Sequence, residues 1–412
     1  MKIGLITYGF SSWGGGIDFI RYIASSVSLV KEQKNSDNFL ILPGDDFMFY
    51  VRKYLSPVKQ FIKDVAKGRK PVWRAWNGFD EAYFKNTFSD ISSSYRFIFA
   101  GSSLNSQIAA SMTAELDVIL PCSRPAPKDF MLPWVGYMAD FQHCYLKELF
   151  SAEELAARDR DFQNMLHQAG HIIVNAKAVI DDANRFFGEF PAKVHALPFS
   201  PSPQVAWLES TLDVREEYKI EKPYFMVCNQ FWKHKDHVTA FRGFSEFIRQ
   251  GGNALLVCTG ATHDYRFPGY FNELKVLVSN LGMQDHIKIL GHIPKSDQIS
   301  LIKNALAMVQ TTLFEGGPGG GAAYDAIGLG VPVIASDIPV NLEMDCGDVT
   351  FFTAGDPLQL AQTLKRRGTA PRTRPSNEQL LEDGIRRKRR CGQFILDVAA
   401  QAITDFKETS HD

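Results

Sequence analysis

The chain of 412 residues carries a formal net charge of −1 at pH 7 and is 45% hydrophobic, so it is long and apolar enough for two globular domains. A charge balance this close to zero excludes a chain that binds nucleic acid or another polyanion over its whole surface. The 6 cysteines are scattered without a CxxC pair, and no apolar run approaches the length of a membrane span. We therefore expect a reduced, cytoplasmic protein.

Strands and helices alternate through the first half of the chain. Residues 2–8 predict a buried strand, and residues 17–30 have the apolar spacing of a helix. Between them lies a glycine loop that includes Gly15 and Gly16. Its glycines are consecutive rather than spaced as GxGxxG, so the loop is not a dinucleotide-binding fingerprint. Further strands are predicted at residues 39–42, 96–100, 117–120, 171–175 and 194–197. Two short helical patches are predicted at residues 47–54 and 58–65.

Another strand is predicted to end at Asp140, and His143 follows on a loop. Active-site groups in open α/β sheets gather beyond the carboxyl ends of strands. Residues 151–169 predict a helix that Ser151 caps. Asp159 and Asp161 form a DxD sequence inside this helix, so we do not interpret them as a metal site.

A linker rich in proline divides the chain near residue 200, where Pro198, Pro201 and Pro203 follow one another closely. The second half again alternates strands and helices, with strands predicted at residues 224–228, 254–258, 287–290, 307–313 and 331–336. Residues 322–329 predict a helix of small and apolar residues, and residues 365–374 are basic and rich in turn signals. Residues 377–405 predict a long helix with five consecutive basic residues, of which Arg386 is the first and Arg390 the last. The pattern predicts an α/β protein with two doubly wound parallel sheets.

Residues 311–339 are the most informative stretch. A buried strand leads into a glycine loop, and a helix of small residues and a second buried strand follow. Such a loop lets backbone N–H groups approach an anion, and the helix N-terminus favours negative charge. Glu315 precedes the loop and Asp325 lies in the helix, and carboxylates accept hydrogen bonds from sugar hydroxyls. The stretch therefore favours a ligand that has phosphate in the middle and hydroxyl-rich groups at both ends, which is the description of a nucleotide sugar. The loop glycines are Gly316, Gly317, Gly319, Gly320 and Gly321.

This stretch resembles the signature of the retaining glycosyltransferases of family four, which share the GT-B fold of two Rossmann-like domains facing across a cleft. The family pattern has two acids separated by seven residues, then a helix of small residues and Gly-Val-Pro-Val. Glu315 matches the first acid, Asp325 stands at the second, and residues 330–333 match the closing sequence. The chain departs from the pattern twice, because the gap is two residues longer and the second acid is Asp rather than Glu.

The resemblance implies further donor contacts in the second domain. Lys235 matches the lysine that holds the donor diphosphate. The position of the usual arginine falls on Asn229 or Gln230. This chain therefore lacks one fixed positive charge and the two parallel hydrogen bonds that an arginine would donate to a phosphate. Lys233 and Arg266 are candidates to supply that charge.

The resemblance also implies contacts on both sides of the cleft. In the first domain, the loop at Gly15 and Gly16 is expected to face the donor phosphates, and His143 to approach the donor sugar with Asp140 beside it. In the second domain, backbone groups at the turn around Ile293 are expected to meet the nucleobase. For the loop at Gly15 and Gly16, the alternative is a Rossmann-type turn without ligand contact. For His143, the alternative is a purely structural histidine.

The implied function is transfer of a sugar, of hexosyl type, from a nucleotide-diphosphate sugar to an acceptor hydroxyl with retention of configuration. Glu315 is expected to position the donor sugar and Asp325 the ribose. No tightly bound cofactor and no metal are expected. The expected partners are the nucleotide sugar and a glycan or lipid-linked glycan acceptor, rather than nucleic acid. Bacterial surface polysaccharide assembly, of O-antigen or capsule, is the expected setting.

The implied domains are an acceptor-side domain over residues 1–200, a donor-side domain over residues 201–385, and a helix over residues 386–412 that returns to the first domain. The basic run from Arg386 to Arg390 is a candidate contact with an anionic membrane at the inner face of the cell membrane. A solvated helix face is the alternative. Two other functions stay open: a sugar-nucleotide epimerase or phosphorylase on the same fold, and a non-catalytic GT-B-like binding protein.

Overall fold

The structure is a computed structural model that describes residues 1–10, 15–31, 36–66, 79–100, 115–127, 130–264, 266–370 and 373–409. The first four residues of the predicted N-terminal glycine loop lie outside the described residues. All structural statements below concern the described part of the chain.

The N-terminal sheet has 7 parallel strands in the order β3-β2-β1-β4-β5-β6-β7. Its order reverses between β1 and β4, where Ile3 lies opposite Val118. Apolar residues fill these strands on both faces, as expected for a sheet covered by helices on both sides. The strands are β1 Lys2–Ile6, β2 Asp37–Pro43, β3 Arg96–Ala100, β4 Val118–Cys122, β5 Trp134–Met138, β6 His171–Val174 and β7 Lys193–Ala196.

The helices that cover this sheet follow its strands in sequence. They are α1 Gly16–Ser28, α2 Phe47–Ala66, α3 Glu81–Thr87, α4 Gln142–Tyr145, α5 Ala152–Gln168 and α6 Lys177–Phe187. Ser151 caps α5 as predicted: its hydroxyl accepts from the Glu154 N–H, and the Glu154 carboxylate accepts from the Ser151 N–H. Asp159 and Asp161 both lie within α5.

The C-terminal sheet has 6 parallel strands in the order β10-β9-β8-β11-β12-β13, and its order reverses between β8 and β11. Its strands are β8 Tyr224–Cys228, β9 Leu255–Thr259, β10 Ile287–Gly291, β11 Met308–Gln310, β12 Val333–Ser336 and β13 Val349–Phe352. The helices from the linker onwards are α7 Val205–Glu209, α8 His237–Arg249, α9 Tyr270–Asn280, α10 Lys295–Asn304, α11 Gly320–Gly328, α12 Pro357–Thr369 and α13 Asn377–Thr409. The prediction of two doubly wound parallel sheets is confirmed.

The long helix α13 packs against the N-terminal domain. Ile395, Leu396 and Ala399 are buried in the same core as Ile20 and Ile23 of α1. The helix runs without a break from Asn377, so one rigid element spans both domains.

The carboxyl ends of the two sheets face each other. Glu343 of the second domain accepts hydrogen bonds from the backbone N–H groups of Lys177 and Ala178, at 2.9 and 2.7 Å. These are the first residues of α6, so the carboxylate lies at the positive end of that helix. The Tyr324 hydroxyl donates to the Phe199 carbonyl at 3.0 Å. These contacts hold the two domains together at the cleft.

Three helix boundaries differ from the sequence predictions. Residues 47–66 form one helix with Pro57 inside it, where two short helical patches were predicted. Helix α11 begins at Gly320 rather than at residue 322, because Gly319 and Gly320 both take positive φ values and turn the chain early. Helix α12 continues to Thr369, so the first part of the basic segment predicted as turns is helical.

The contact between α1 and α13 depends on the absence of a side chain at position 392. A Cβ built on Gly392 would lie 2.1 Å from the Ser26 carbonyl oxygen. Gly392→Ala gains helix propensity but forces the two helices apart, and overpacking of this kind costs about 2 kcal/mol. We therefore expect a clear fall in the free energy of unfolding by urea. Gly170→Ala, where a Cβ meets nothing within 4 Å, is the matched control. Equal stability of the two variants would contradict this packing.

Candidate active site

The turn after β8 places Lys235 at the floor of the cleft. Residues Lys233–Lys235 form a 3-10 turn, and Asp236 follows in a left-handed conformation, where it caps α8 by accepting from the Thr239 N–H. The Thr311 hydroxyl, just beyond β11, lies 3.0 Å from the Lys235 carbonyl and 2.9 Å from that of Asp236. These bonds fix the turn against the neighbouring strand end.

Lys235 and Glu315 form an ion pair inside the cleft. The Lys235 Nζ and the Glu315 Oε1 are 2.5 Å apart, and the side chains are only 12% and 11% exposed. The Gln310 amide donates to the same Glu315 oxygen at 3.0 Å. Glu315 is therefore oriented by two donors from two strand ends, and Lys235 is held at a defined place.

The glycine loop brings the N-terminus of α11 beside this pair. Gly319 and Gly320 have φ values of +67° and +61°, which side chains rarely adopt. The Gly319 N–H donates to the Asn341 side chain at 2.9 Å, so this amide is already used. The Gly320 and Gly321 amides open the helix and have no partner within it, as is usual in a first turn. They form a place for an anion next to Lys235.

A cavity of about 430 Å³ joins these groups. Among its described lining residues, Lys235 is the only lysine or arginine. The predicted residues that line it are Asn229, Lys235, Glu315, Gly319, Gly320 and Gly321. Sequence reasoning did not single out its other polar members, among them Thr259, His292, Gln298 and Gln310. Of these, Gln310 could have been identified from the sequence, because it is a polar residue at the end of a buried strand.

Asp325 lies one turn along α11 from the cavity wall and is 17% exposed. It forms an ion pair with Lys295 at the start of α10. Burial raises the pKa of the Asp325 carboxyl, and the Lys295 ammonium opposes that rise. The Asp18 carboxylate, in the first turn of α1, also raises this pKa, so the two acids lie within electrostatic range of each other. Gly15 is the N-cap of that helix and Gly16 its first residue.

Asp140 meets the glycine loop from the N-terminal domain. A Cβ on Gly316 would lie 2.9 Å from the Asp140 Cβ, and one on Gly317 would lie 3.0 Å from the Asn175 Cβ. Only glycine permits this approach of the two domains. Burial raises the pKa of Asp140, and the nearby Glu315 carboxylate raises it further. Asp140 and Glu315 therefore lie close enough to interact across the cleft.

His143 is buried and turned towards α5 rather than lining the cavity. Its Nε2 lies 3.1 Å from Asp159 and 3.4 Å from the Cys144 sulfur. His143, Cys144 and Asp159 have the atom types of a metal site within 4.8 Å of one another. Burial raises the pKa of the Cys144 thiol to about 11, which favours the protonated thiol over the thiolate that a metal would need. The approach of His143 to a donor sugar stays a prediction.

The remaining predicted donor contacts lie beside the cavity rather than in its wall. The Lys233 Nζ lies over the Phe267 ring at 4.8 Å from the ring centroid. Arg266 stacks on Trp232 at 5.2 Å and lies 3.7 Å from Asp264. Ile293 is a buried member of the core, whereas its neighbour His292 lines the cavity.

Two histidines are buried next to Lys235. Burial, with the Lys235 ammonium adding to its effect, lowers the pKa of His234 and of His237 to about 3. His237 stacks on Phe231 with ring centroids 4.2 Å apart, and neither of its ring nitrogens has a hydrogen-bond partner among the described residues. Both side chains are therefore neutral, and the positive charge on this turn is concentrated on the lysines.

The second domain is similar to proteins of a known family. Residues 211–367 match the family model described as "Glycosyl transferases group 1". A segment of 148 residues is 28% identical to "Glycosyltransferase 1 domain-containing protein 1" of Xenopus tropicalis, and it covers 36% of this chain and 40% of that protein. The chain thus matches less than half of that relative's length.

Solved structures resemble the chain over both domains. A glycosyltransferase from Rickettsia africae ESF-5 superposes with a TM-score of 0.56 at 14% identity, covering 99% of this chain and 98% of that one. Alr3699/HepE of Anabaena, in complex with UDP and glucose, gives a TM-score of 0.52 at 15% identity, covering 100% and 99%. At such identities the likeness shows the fold alone. The GT-B fold predicted from the sequence is therefore confirmed.

The two buried histidines predict a specific loss of stability in acid. The unfolded chain takes up protons at His234 and His237 below about pH 6.5, whereas the folded chain does so only near pH 3. The free energy of unfolding should therefore fall as the pH drops from about 6.5 to 4, by about 1.4 kcal/mol per pH unit for each histidine.

His237→Phe should keep the stacking on Phe231. It should also reduce the dependence of the free energy of unfolding on pH by about 1.4 kcal/mol per pH unit, because the unfolded variant takes up one proton fewer. The measurement is chemical unfolding at several pH values in that window. The exposed His167→Gln is the matched control and should leave the slope unchanged. A slope in His237→Phe equal to that of the wild type would contradict a neutral, buried His237.

Proposed function

We propose that this chain is a glycosyltransferase that moves a sugar from a nucleotide-diphosphate sugar to an acceptor hydroxyl with retention of configuration. The observation that carries the proposal is the cavity in the cleft, where a lysine, a carboxylate and the glycine-bounded start of a helix converge. The match of residues 211–367 to the group 1 glycosyltransferases supports it.

The diphosphate of the donor binds between Lys235 and the first turn of α11. Lys235, Gly320 and Gly321 line the same cavity, and an ammonium group and the amides at a helix N-terminus all favour negative charge. When the bond between sugar and phosphate breaks, charge grows on the leaving diphosphate. Fixed donors at that position stabilise this charge without having to reorganise.

The hydroxyl-rich parts of the donor bind on either side of the diphosphate. Glu315, oriented by Gln310, accepts hydrogen bonds from the donor sugar. Asp325 accepts from the ribose, and its pairing with Lys295 holds the carboxylate in place. The nucleobase lies towards Thr259 and His292, which also line the cavity. Alr3699/HepE, which has the same fold, was solved with UDP and glucose, so UDP is the first nucleotide to test.

The acceptor side is formed by the N-terminal domain. Asp140 lies against the glycine loop and beside Glu315, where an acceptor hydroxyl would reach the sugar. Retention, transfer of the acceptor proton to the leaving phosphate, and a place in surface polysaccharide assembly rest on the family resemblance. In the same way, the resemblance implies a donor site that needs no resident cofactor.

A thermal-shift panel with UDP, GDP, TDP, CDP and ADP, with and without magnesium, tests the donor site. We expect one diphosphate to raise the melting temperature without a requirement for metal, because a ligand that binds only the folded state stabilises it. Lys235→Met should abolish that rise, since no second lysine or arginine lines the described cavity. Lys275→Met, an exposed lysine of α9, is the matched control and should keep it.

A flat response to all five nucleotides, or a full response in Lys235→Met, would contradict the assignment. Binding of the diphosphate without any sugar transfer to a glycan acceptor would instead favour the non-catalytic binding protein. Hydrolysis or epimerisation of the nucleotide sugar without an acceptor would favour the epimerase.

A further inference from the structure

Helix α2 exposes an unusual amount of apolar surface. Among the described residues, eight large hydrophobic side chains of this one helix are exposed, including Phe47 at 79%, Tyr54 at 67% and Ile62 at 61%. The others are Tyr50, Leu55, Val58, Phe61 and Val65. Contiguous exposed apolar patches on a folded domain mark a contact with a partner or a membrane.

These side chains form one continuous face. Phe47, Tyr50, Tyr54, Val58 and Val65 follow one another at helical spacing, so they lie along one side of the helix. The side chains that face the protein are different ones: Phe49, Pro57 and Asp64 are buried. The hydrophobic face of α2 is therefore directed away from the core of its own domain.

The charge around this face is positive. Lys59 and Lys63 are exposed and lie along one edge of the apolar face. The acid within the helix, Asp64, is buried on the opposite side. Aromatic and aliphatic residues flanked by lysines are the composition of a helix that lies in the interface of an anionic bilayer.

The position of α2 places this face at the rim of the cleft. The helix starts a few residues after the carboxyl end of β2, at the edge of the sheet that meets the second domain. Asp46 caps it by accepting from the Phe49 N–H at 2.6 Å. The most exposed residue, Phe47, is thus at the end of the helix nearest the candidate site.

We propose that the exposed face of α2, formed by Phe47, Tyr50, Tyr54, Leu55, Val58, Ile62 and Val65 with Lys59 and Lys63, binds the surface of an anionic phospholipid bilayer. The helix lies in the plane of the interface, because no helix among the described residues is long and apolar enough to cross a bilayer. A two-fold dimer through the same face would bring the lysines of both copies together without exposed acids of α2 to pair with them. The proposal does not depend on the proposed sugar transfer. If both hold, the transfer takes place at the surface of a bilayer.

The basic run at residues 386–390, a candidate membrane contact, has partners within the protein for three of its arginines, and the Arg386 and Arg390 side chains are 72% and 69% exposed. Arg386 pairs with Asp383 at 2.7 Å, and Arg390 lies 3.7 Å from Asp345. Arg387 donates to the Pro201 carbonyl at 3.3 Å. Burial lowers the pKa of Lys388, with Arg21 adding to the effect. These contacts favour α2 over that run as the membrane surface.

Flotation of the full-length protein with vesicles tests the proposal. We expect wild type to float with vesicles of phosphatidylcholine and phosphatidylglycerol, and to float poorly with phosphatidylcholine alone. Leu55→Glu/Ile62→Glu should lower the partition coefficient at least tenfold, because two apolar side chains no longer enter the interface. Lys59→Glu/Lys63→Glu should remove the preference for anionic lipid.

Matched controls use equally exposed positions elsewhere. Val276 and Leu358 are each 58% exposed, as Leu55 is, so Val276→Glu/Leu358→Glu should float like wild type. Lys222→Glu/Lys365→Glu changes charge by the same amount at exposed sites away from α2. Nucleotide-induced thermal shifts should be the same in all four variants, which separates this test from that of the donor site.

Failure of wild type to float with anionic vesicles, or equal flotation of Leu55→Glu/Ile62→Glu and wild type, would overturn the proposal. A wild-type dimer in sedimentation velocity that this variant dissociates, without vesicle binding, would assign the face to a second copy of the chain instead.

Discussion

The cleft is organised by two opposite charges that are nearly excluded from water. Lys235 and Glu315 come from the ends of neighbouring strands β8 and β11, and each satisfies the other at 2.5 Å. Removing one partner from such a pair is costly, because the remaining charge stays desolvated and unpaired. A diphosphate that enters the cavity supplies a new partner for Lys235. Glu315 then needs donors, and the hydroxyls of a sugar are donors of the right kind.

The rest of the fold positions this pair and encloses it. Reversal of strand order between β8 and β11 opens the crevice at their carboxyl ends, and the Thr311 hydroxyl joins the Lys235 turn to β11. Gly316 and Gly317 let the N-terminal domain approach within contact distance of the loop. Glu343 caps a helix of the opposite domain and so holds the two halves together. Exclusion of water by this enclosure strengthens every charge interaction inside.

Local signals in the sequence predicted much of this arrangement. The Ser151 helix cap, the apolar strand Tyr224–Cys228 and the order of strand, glycine loop and helix around Glu315 are all short-range patterns, and the structure contains each of them. The topology of parallel sheets then brings Lys235, Glu315 and the glycine loop together, although 80 residues separate the two charged side chains.

Long-range partners could not be predicted in the same way. The pairing of Asp325 with Lys295, the orientation of His143 towards Asp159 and the use of the Gly319 amide by Asn341 depend on how separate segments pack. Periodicity identified helical segments within residues 47–66, but it could not show that their apolar face points outwards. Spacing determines which residues share a face, whereas packing determines what that face meets.

Calorimetric titration of Glu315→Gln with the diphosphate selected by the nucleotide panel shows whether Lys235 exchanges the Glu315 carboxylate for the donor diphosphate. Glutamine keeps the shape of the side chain and its contact with Gln310 but removes the charge that competes for Lys235. We expect this variant to bind the free nucleoside diphosphate about tenfold more tightly, a change of about 1.4 kcal/mol, and to lose most of its sugar transfer. Unchanged or weaker diphosphate binding, or near-normal transfer by this variant, would contradict it.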